Sequence, residues 1–96
     1  MEISKKEYNK LKKTTEMKLR AYPIYKHSGI NKEVVHMIEY VLKRKSKETK
    51  KLIKLTYFTE GLTTDEIAKK LNLSRSSYYL KKKKILYDFI QSIGYL

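Results

Sequence analysis

The chain has 96 residues, 41% of them hydrophobic, which is enough for one small domain with a thin core. Its 23 lysines and arginines outnumber 10 acidic residues, and the net charge of +13 favours double-stranded DNA as a partner over an anionic membrane surface or mere solubility. Cysteine is absent, and no apolar run approaches the ~18 residues of a membrane span. The sequence therefore excludes disulfides and cysteine metal sites, and it predicts a cytoplasmic protein without a membrane partner.

The first predicted element is a helix from about Ser4 to Arg20. Ser4 and Glu7 have the spacing of a capping box, and apolar residues then recur three or four positions apart. We expect Pro23 to end this helix, because the residue before a proline is pushed out of helical geometry. Residues 23–30 are accordingly predicted to form a loop.

The second and third helices are predicted on either side of a lysine-rich stretch. Asn31 is a candidate cap for the second helix, whose apolar face begins at Val34. Residues 43–51 are too polar for a core, so we interpret them as a connection into the third helix with Ser46 as its cap. The third helix is expected to stop at Gly61.

The pattern from Thr63 onward predicts a helix-turn-helix. Thr63 and Glu66 again have capping-box spacing, at the start of a short helix, and residues 72–74 form a three-residue turn. Ser74 then caps a last helix that runs to residue 93, with Gly94 as a left-handed stop. The short turn would allow the second helix of the pair to enter the major groove of DNA.

The last helix has one face for the body of the protein and another for DNA. At about 100° per residue, Tyr78, Ile85 and Phe89 share the inward face, and Lys82 points toward it with a buried stem. The segment 75–86 is the predicted recognition helix. Its candidate DNA-binding residues are Ser74, Arg75, Ser76, Ser77, Tyr79, Leu80, Lys83 and Lys84.

Each candidate has a chemical reason for its place. Ser74 leaves the positive end of the helix free for a phosphate, and arginine at position 75 suits guanine. Serines at positions 76 and 77 suit several base edges, while the two lysines suit phosphates. Leu80 either contacts a thymine methyl group or is an ordinary exposed leucine.

Three features of the C-terminal half also form a family pattern. They are the entry from Tyr57 to Thr63, the triplet Glu66-Ile67-Ala68, and Ser74 followed by the pair Tyr78-Tyr79. With them, the stretch from residue 52 to about 90 resembles the promoter-reading domain of sigma factors. It resembles still more closely the phage late-gene transcriptional regulators of the ArpU/RinA type. Such recognition helices often have a basic residue where Leu80 stands, so the base preference is expected to differ.

Catalytic and cofactor chemistry has no candidate residues. His27 in the predicted loop and His36 on the second helix stand apart, without cysteines or paired carboxylates at ligand spacing. The three glycines are isolated, so no phosphate-cradling loop is predicted. We therefore expect a protein that is not an enzyme and that uses no cofactor and no metal.

These observations predict an all-α fold of about five helices with a C-terminal, sigma-region-like helix-turn-helix. Residues 1–45 would form a helical packing or partner surface, and residues 46–96 the DNA-binding domain. The resemblance implies a sequence-specific regulator, an activator of phage or mobile-element genes in the host bacterial cytoplasm, with RNA polymerase as a further partner. The alternatives are the DNA-recognition subunit of a phage packaging machine and an adaptor that binds RNA polymerase. A homodimer is expected because Ile90, Tyr95 and Leu96 would otherwise lack cover, unless the N-terminal helix covers them within one chain.

Overall fold

The computed structural model describes residues 4–96 and contains, within that range, five α-helices and no β-strand. The helices are α1 (Lys5–Ser28), α2 (Lys32–Lys43), α3 (Lys47–Tyr57), α4 (Thr64–Lys70) and α5 (Arg75–Ile93). The predicted all-α class and the number of helices are confirmed.

Four helices begin at the hydroxyl residues that the sequence predicted as caps. The side-chain oxygens of Ser4, Ser46, Thr63 and Ser74 each accept a hydrogen bond from the backbone amide three residues later, at 3.1–3.2 Å. This bond satisfies one of the amides that the first turn of a helix leaves without a partner. At Thr63 the box is complete, since the Glu66 carboxylate also accepts from the Thr63 amide.

The prediction for the end of α1 was wrong. The helix passes through Pro23 and ends only at Gly29, whose φ of 75° is left-handed and whose amide donates to the Tyr25 carbonyl. His27 therefore lies in the last helical turn rather than in a loop. A proline inside a helix costs about 3 kcal/mol. Packing of Leu19, Tyr22 and Tyr25 against the core, on both sides of the proline, offsets that cost.

Three other predicted features of the helix termini also differ from the structure, although α5 ends at Ile93 as predicted. Asn31 precedes α2 but adopts a left-handed φ of 49° and makes no side-chain capping bond. α3 ends at Tyr57 rather than at Gly61, because the chain turns away after Phe58. Gly94 is right-handed, with φ −59° and ψ −30°, and is not the left-handed stop that was predicted.

The end of α5 is stabilised by a cation rather than by a glycine turn. The Lys18 ammonium of α1 donates to the Ile93 carbonyl at 3.0 Å and to the Leu96 carbonyl oxygen at 3.1 Å. A positive charge at the C-terminal end of a helix satisfies free carbonyls and opposes the negative end of the helix dipole. This contact fixes α5 to α1 at the end of the helix that lies farther from the turn.

One hydrophobic core includes residues of all five helices. Its centre contains Leu19 of α1, Ile38 of α2, Ile53 of α3 and Phe89 and Ile90 of α5, each fully buried. α5 packs on α1, α2 and α4. Ile90 is therefore buried by residues of its own chain and not, as a homodimer would require, by a second copy. Tyr95 and Leu96 remain 58% and 46% exposed.

One polar side chain is buried in this packing. Thr15 of α1 is fully buried, and its hydroxyl has no hydrogen-bond partner among the described residues. An unsatisfied buried hydroxyl destabilises the folded state by about 1–3 kcal/mol. The fold is therefore less stable with this hydroxyl than it would be with an apolar side chain of the same shape at position 15.

Candidate nucleic-acid interface

The connection between α4 and α5 is a tight turn with a defined hydrogen-bond pattern. Asn72 adopts a left-handed φ of 56°. Its amide donates to the Lys69 carbonyl at 3.1 Å, and the Leu73 amide donates to the Ala68 carbonyl at 2.9 Å. These two bonds are those of a Schellman motif, in which asparagine takes the place that glycine usually holds. The motif ends α4 sharply and sets where α5 begins.

Apolar side chains hold this turn against the body. Ala68, where the sequence predicted a close helix approach, is 5% exposed, and Ile67 beside it is also buried. Leu71 and Leu73, before and after the left-handed residue, pack on the core from the turn. The direction of α5 is therefore fixed by packing as well as by backbone hydrogen bonds.

The inward face of α5 is the one predicted from the sequence. Tyr78, Ile85 and Phe89 are at most 7% exposed. The Tyr78 hydroxyl is 2.8 Å from the Thr56 hydroxyl of α3, and burial raises the pKa of Tyr78 above its ordinary value of 10. This face therefore packs in the interior and is not available to a ligand.

Lys82 is partly buried between α1 and α3, as the sequence predicted. Its ammonium lies 3.7 Å from the Glu16 carboxylate and 5.9 Å from the centre of the Tyr57 ring. Tyr57 donates a 2.9 Å hydrogen bond to the same carboxylate, and burial together with the charge of Glu16 raises the pKa of Tyr57 well above 10. This polar cluster fixes the middle of α5 to the body of the protein.

The candidate DNA-binding residues lie together on and beside the outward side of the first half of α5. All of them are exposed except Ser77, which is half-buried. Tyr79 and Leu80 are large apolar side chains that are 47% and 64% exposed. The structure thus brings the predicted set to one accessible surface, which we call the outer face: Ser74, Arg75, Ser76, Ser77, Tyr79, Leu80, Lys83 and Lys84.

Three side chains of the outer face already have partners in the free protein. The Arg75 guanidinium lies 3.2 Å from the Asp65 carboxylate of α4, with both side chains mostly exposed. The Ser74 hydroxyl donates to the Ser77 hydroxyl at 3.0 Å while it caps the helix. An exposed ion pair contributes little to stability, so Arg75 remains available to a ligand.

Two grooves flank the first half of α5. The first, of about 310 Å³, is the tyrosine groove: it lies between α1 and α5 and is lined by Tyr8, Lys12, Tyr79, Lys82, Lys83 and Leu86. The second, of about 480 Å³, is the lysine groove: it lies between the start of α3, the α4–α5 turn and the opposite flank of α5. Lys81 lines the second groove, whereas Lys83 lines the first, because residues two apart on a helix differ by about 200°.

The sequence did not predict Tyr8 and Lys12 as neighbours of the outer face, nor Lys70 and Lys81 as neighbours of the 43–51 lysines. Tyr8 is one of the apolar and aromatic residues that recur three or four positions apart along α1, so helical periodicity indicated only that it faces inward. The residues of α5 that contact α1 depend on the angle and position at which the two helices cross. A local sequence pattern does not give this crossing geometry. The charge distribution was the available signal, since residues 1–58 contain 16 basic and 6 acidic side chains.

Within residues 4–96, no group of three or more histidine, cysteine or carboxylate side chains is placed so that it could hold a metal ion. None of the described helices is long and apolar enough to cross a membrane.

Comparison with known proteins gives one family. A family model described as a protein of unknown function (DUF1492) matches residues 26–89. The matched segment begins in the last turn of α1 and includes α2, α3, α4, the turn and most of α5. No curated protein and no solved structure matches the chain.

Proposed function

The chain belongs to a family of proteins of unknown function (DUF1492), and from its structure we propose that it is a sequence-specific double-stranded DNA-binding transcriptional regulator. Its targets would be phage or mobile-element genes, as the resemblance to late-gene regulators suggests, and it would act in the bacterial cytoplasm. The observation that carries the proposal is the outer face. It is an exposed basic surface on the first half of a helix whose second half packs into the core.

The dimensions of the outer face suit the major groove. The ten residues from Arg75 to Lys84 form a helical segment of about 15 Å at 1.5 Å per residue, and the major groove is about 12 Å wide. Arg75 and Ser76, near the N-terminal end, would contact base edges. Leu80 would lie against the floor of the groove, where a thymine methyl group offers an apolar contact.

The backbone phosphates would be contacted on both sides of this segment. Lys83 and Lys84 lie one helical turn or more beyond the base-reading residues. In the tyrosine groove, Lys12 and the Tyr8 hydroxyl of α1 add a cation and a hydrogen-bond donor beside Lys83. Contacts to phosphates fix the position and orientation of a protein on DNA without reading its sequence.

The proposal includes a homodimer, but the exposed apolar surface available for a dimer interface is smaller than the sequence suggested. Ile90 is buried within the chain, so the exposed residues left from that prediction are Tyr95 and Leu96. Tyr95 also donates a hydrogen bond to Glu7 of α1. One small module rarely gives tight specific binding alone, so two copies on half-sites one helical turn apart would supply the missing affinity.

The test is selection of binding sites from random duplex DNA, followed by measurement of affinity against salt. Phosphate contacts by Lys12, Lys83 and Lys84 would release about three counterions per protein, so log affinity should fall with log salt at a slope of about −2.7. Lys83→Ala should reduce that slope by about one, whereas Lys32→Ala, on an exposed lysine at the start of α2, should not change it. A slope near zero for the wild-type protein would contradict the proposal.

A further inference from the structure

We propose that the lysine groove binds an acidic amphipathic segment of a partner protein. The groove opens on the flank of α5 opposite the tyrosine groove and shares Lys84 with the outer face, and a partner can occupy it whether or not the chain binds DNA. The proposal rests on the shape of the groove, on its charge and on the direction in which it opens.

The lysine groove has an apolar floor and the size of a ligand site. Leu52 of α3, Leu71 and Leu73 of the turn, and Ile85 of α5 line it. Its volume of about 480 Å³ lies within the range of about 300–1,000 Å³ that is typical of binding pockets. A floor of leucine and isoleucine favours an occupant that contributes apolar side chains of its own.

The rim of the groove carries an excess of positive charge. Five lysines line it: Lys45, Lys51, Lys70, Lys81 and Lys84. The carboxylates among the lining residues are Glu48 and Asp88, and Asp88 already forms an ion pair with Lys45. Lysines from α5, from the end of α4, from α3 and from the segment before α3 therefore repel one another across an apolar floor. An occupant with several carboxylates would relieve this repulsion.

The direction of the groove favours a protein segment over the DNA backbone. Lys81 and Lys83 lie on opposite flanks of α5, as their separate grooves show. When Ser76, Leu80 and Lys83 face a duplex, Lys81 and the lysines of α3 point toward the side of the complex. A sugar-phosphate backbone would also leave the remaining exposed surface of Leu71 and Leu73, which are half-buried, without apolar contact. An amphipathic helix with leucines on one face and glutamates beside them matches both the floor and the rim.

The probe is a fluorescent synthetic peptide with leucines at positions i, i+3, i+4 and i+7 and glutamates at most other positions. Fluorescence anisotropy with the full chain, in the absence of DNA, should give a Kd on the order of 10 μM. The double variant Lys51→Glu, Lys70→Glu should raise that Kd at least about tenfold, because each reversal replaces attraction by repulsion. The matched control, Lys13→Glu with Lys32→Glu, has the same net charge but changes exposed lysines outside the groove, and its Kd should rise less than about threefold.

Two further peptides test which chemistry matters. A scrambled peptide of the same composition, whose leucines do not share a helical face, should bind at least about tenfold more weakly. A peptide with lysines in place of the glutamates should not bind. Equal binding of the acidic peptide to the groove variant and to the control variant would overturn the proposal, as would failure of the wild type to bind it.

Other occupants of the groove have their own signatures. If a DNA duplex displaces the peptide, and the groove variant lowers the salt slope of DNA binding by about two, the groove holds the DNA backbone and the proposal is wrong. If sedimentation shows self-association that the groove variant abolishes, the occupant is a second copy, which also overturns it. A chain that binds the peptide but no DNA would support this inference and contradict the proposed function.

Discussion

The two halves of α5 differ in almost every physical property although they belong to one continuous helix. From Arg75 to Lys84, one residue of ten is buried, and the segment has five basic and no acidic side chains. From Ile85 to Ile93, five residues of nine are buried, and the charged residue is Asp88. The second half supplies stability and the first half an accessible surface. A rigid helix therefore presents the outer face without a flexible loop.

Alanine substitutions in the two halves should change the free energy of unfolding by very different amounts, and this is the largest difference that we predict. Phe89→Ala removes a fully buried ring and should lower the free energy of unfolding by about 3–5 kcal/mol. Leu80→Ala removes a side chain that is 64% exposed and should change it by less than about 0.5 kcal/mol. Denaturant unfolding followed by circular dichroism measures both. Similar losses in the two variants would show that the first half is not a free surface.

The buried second half also changes how a dimer can be tested. Ile90 is fully buried in the single chain, so Ile90→Asp should unfold the protein rather than separate two copies. Tyr95 and Leu96 are the accessible positions for such a test.

Within the first half, base reading should separate from phosphate contact. Arg75→Ala should cost about 1–3 kcal/mol of binding free energy at one base position and relax the preference there. Lys83→Ala should weaken binding to all sequences alike. Affinities for the selected site and for random duplex DNA measure the difference. If Arg75→Ala weakens both equally, the N-terminal end of α5 does not read bases.

Asp65→Ala provides a control for the arginine. It removes the carboxylate 3.2 Å from the Arg75 guanidinium but leaves the guanidinium in place. Base preference should persist in this variant. Its loss would show that Asp65 orients the arginine for reading.

The turn that joins α4 to α5 should tolerate only residues that accept a left-handed backbone. Asn72→Val places a β-branched residue at a φ of 56° and should cost about 1–2 kcal/mol of stability. Asn72→Gly keeps the conformation accessible and should change stability little. Thermal unfolding of the two variants checks this prediction. If valine and glycine gave the same melting temperature, the turn would not control how α4 joins α5.

The sequence predicted the elements of this fold better than their ends. The hydroxyl caps at Ser46, Thr63 and Ser74 were found because a cap is a local contact with the amide three residues away. The path of α1 through Pro23 was missed because the contacts of Tyr22 and Tyr25 that offset the proline involve residues distant in the chain. The end of α5 at Ile93 was predicted correctly, but its stabilisation by Lys18 was missed for the same reason, since Lys18 is 75 residues from Ile93 in the chain.

The features of the candidate interface also divide into those that the sequence predicts and those that it does not. The exposure of Leu80 and the burial of Phe89 follow from helical periodicity, which is local. The two grooves could not be predicted, because they depend on how α1 and α3 cross α5. Lys12 and Lys70 are ordinary exposed lysines in the sequence, and only the packing of the helices makes them neighbours of α5.

The interior of the body contains one side chain whose replacement should stabilise the fold. Thr15→Val removes the buried hydroxyl without a partner and keeps the shape of the side chain, so stability should rise by about 1 kcal/mol. Thr14→Val is the matched control, because the Thr14 hydroxyl is exposed and donates to the Leu11 carbonyl at 3.1 Å. Chemical denaturation measures the free energy of unfolding of the wild type and of both variants. The comparison requires that this free energy depend on denaturant concentration with the same slope in all three proteins. A loss of stability in Thr15→Val would show that the hydroxyl has a partner in solution.

The smallest predicted effect is at the surface between α1 and α2, at Glu39. Hydrogen bonds from Lys26 and from Tyr22 lower the pKa of Glu39 below its ordinary value of 4.5. The folded state therefore favours the charged carboxylate, and its contribution to stability is present above pH 4.5 and is lost as the pH falls through the lower folded value. The Glu39 side chain is 34% exposed, so solvent screening limits the contribution to about 0.5 kcal/mol. Glu39→Gln should be less stable than the wild type by that amount at pH 7, and the difference should shrink at pH 3. A difference that stays constant from pH 7 to pH 3 would show that the charge of Glu39 contributes nothing.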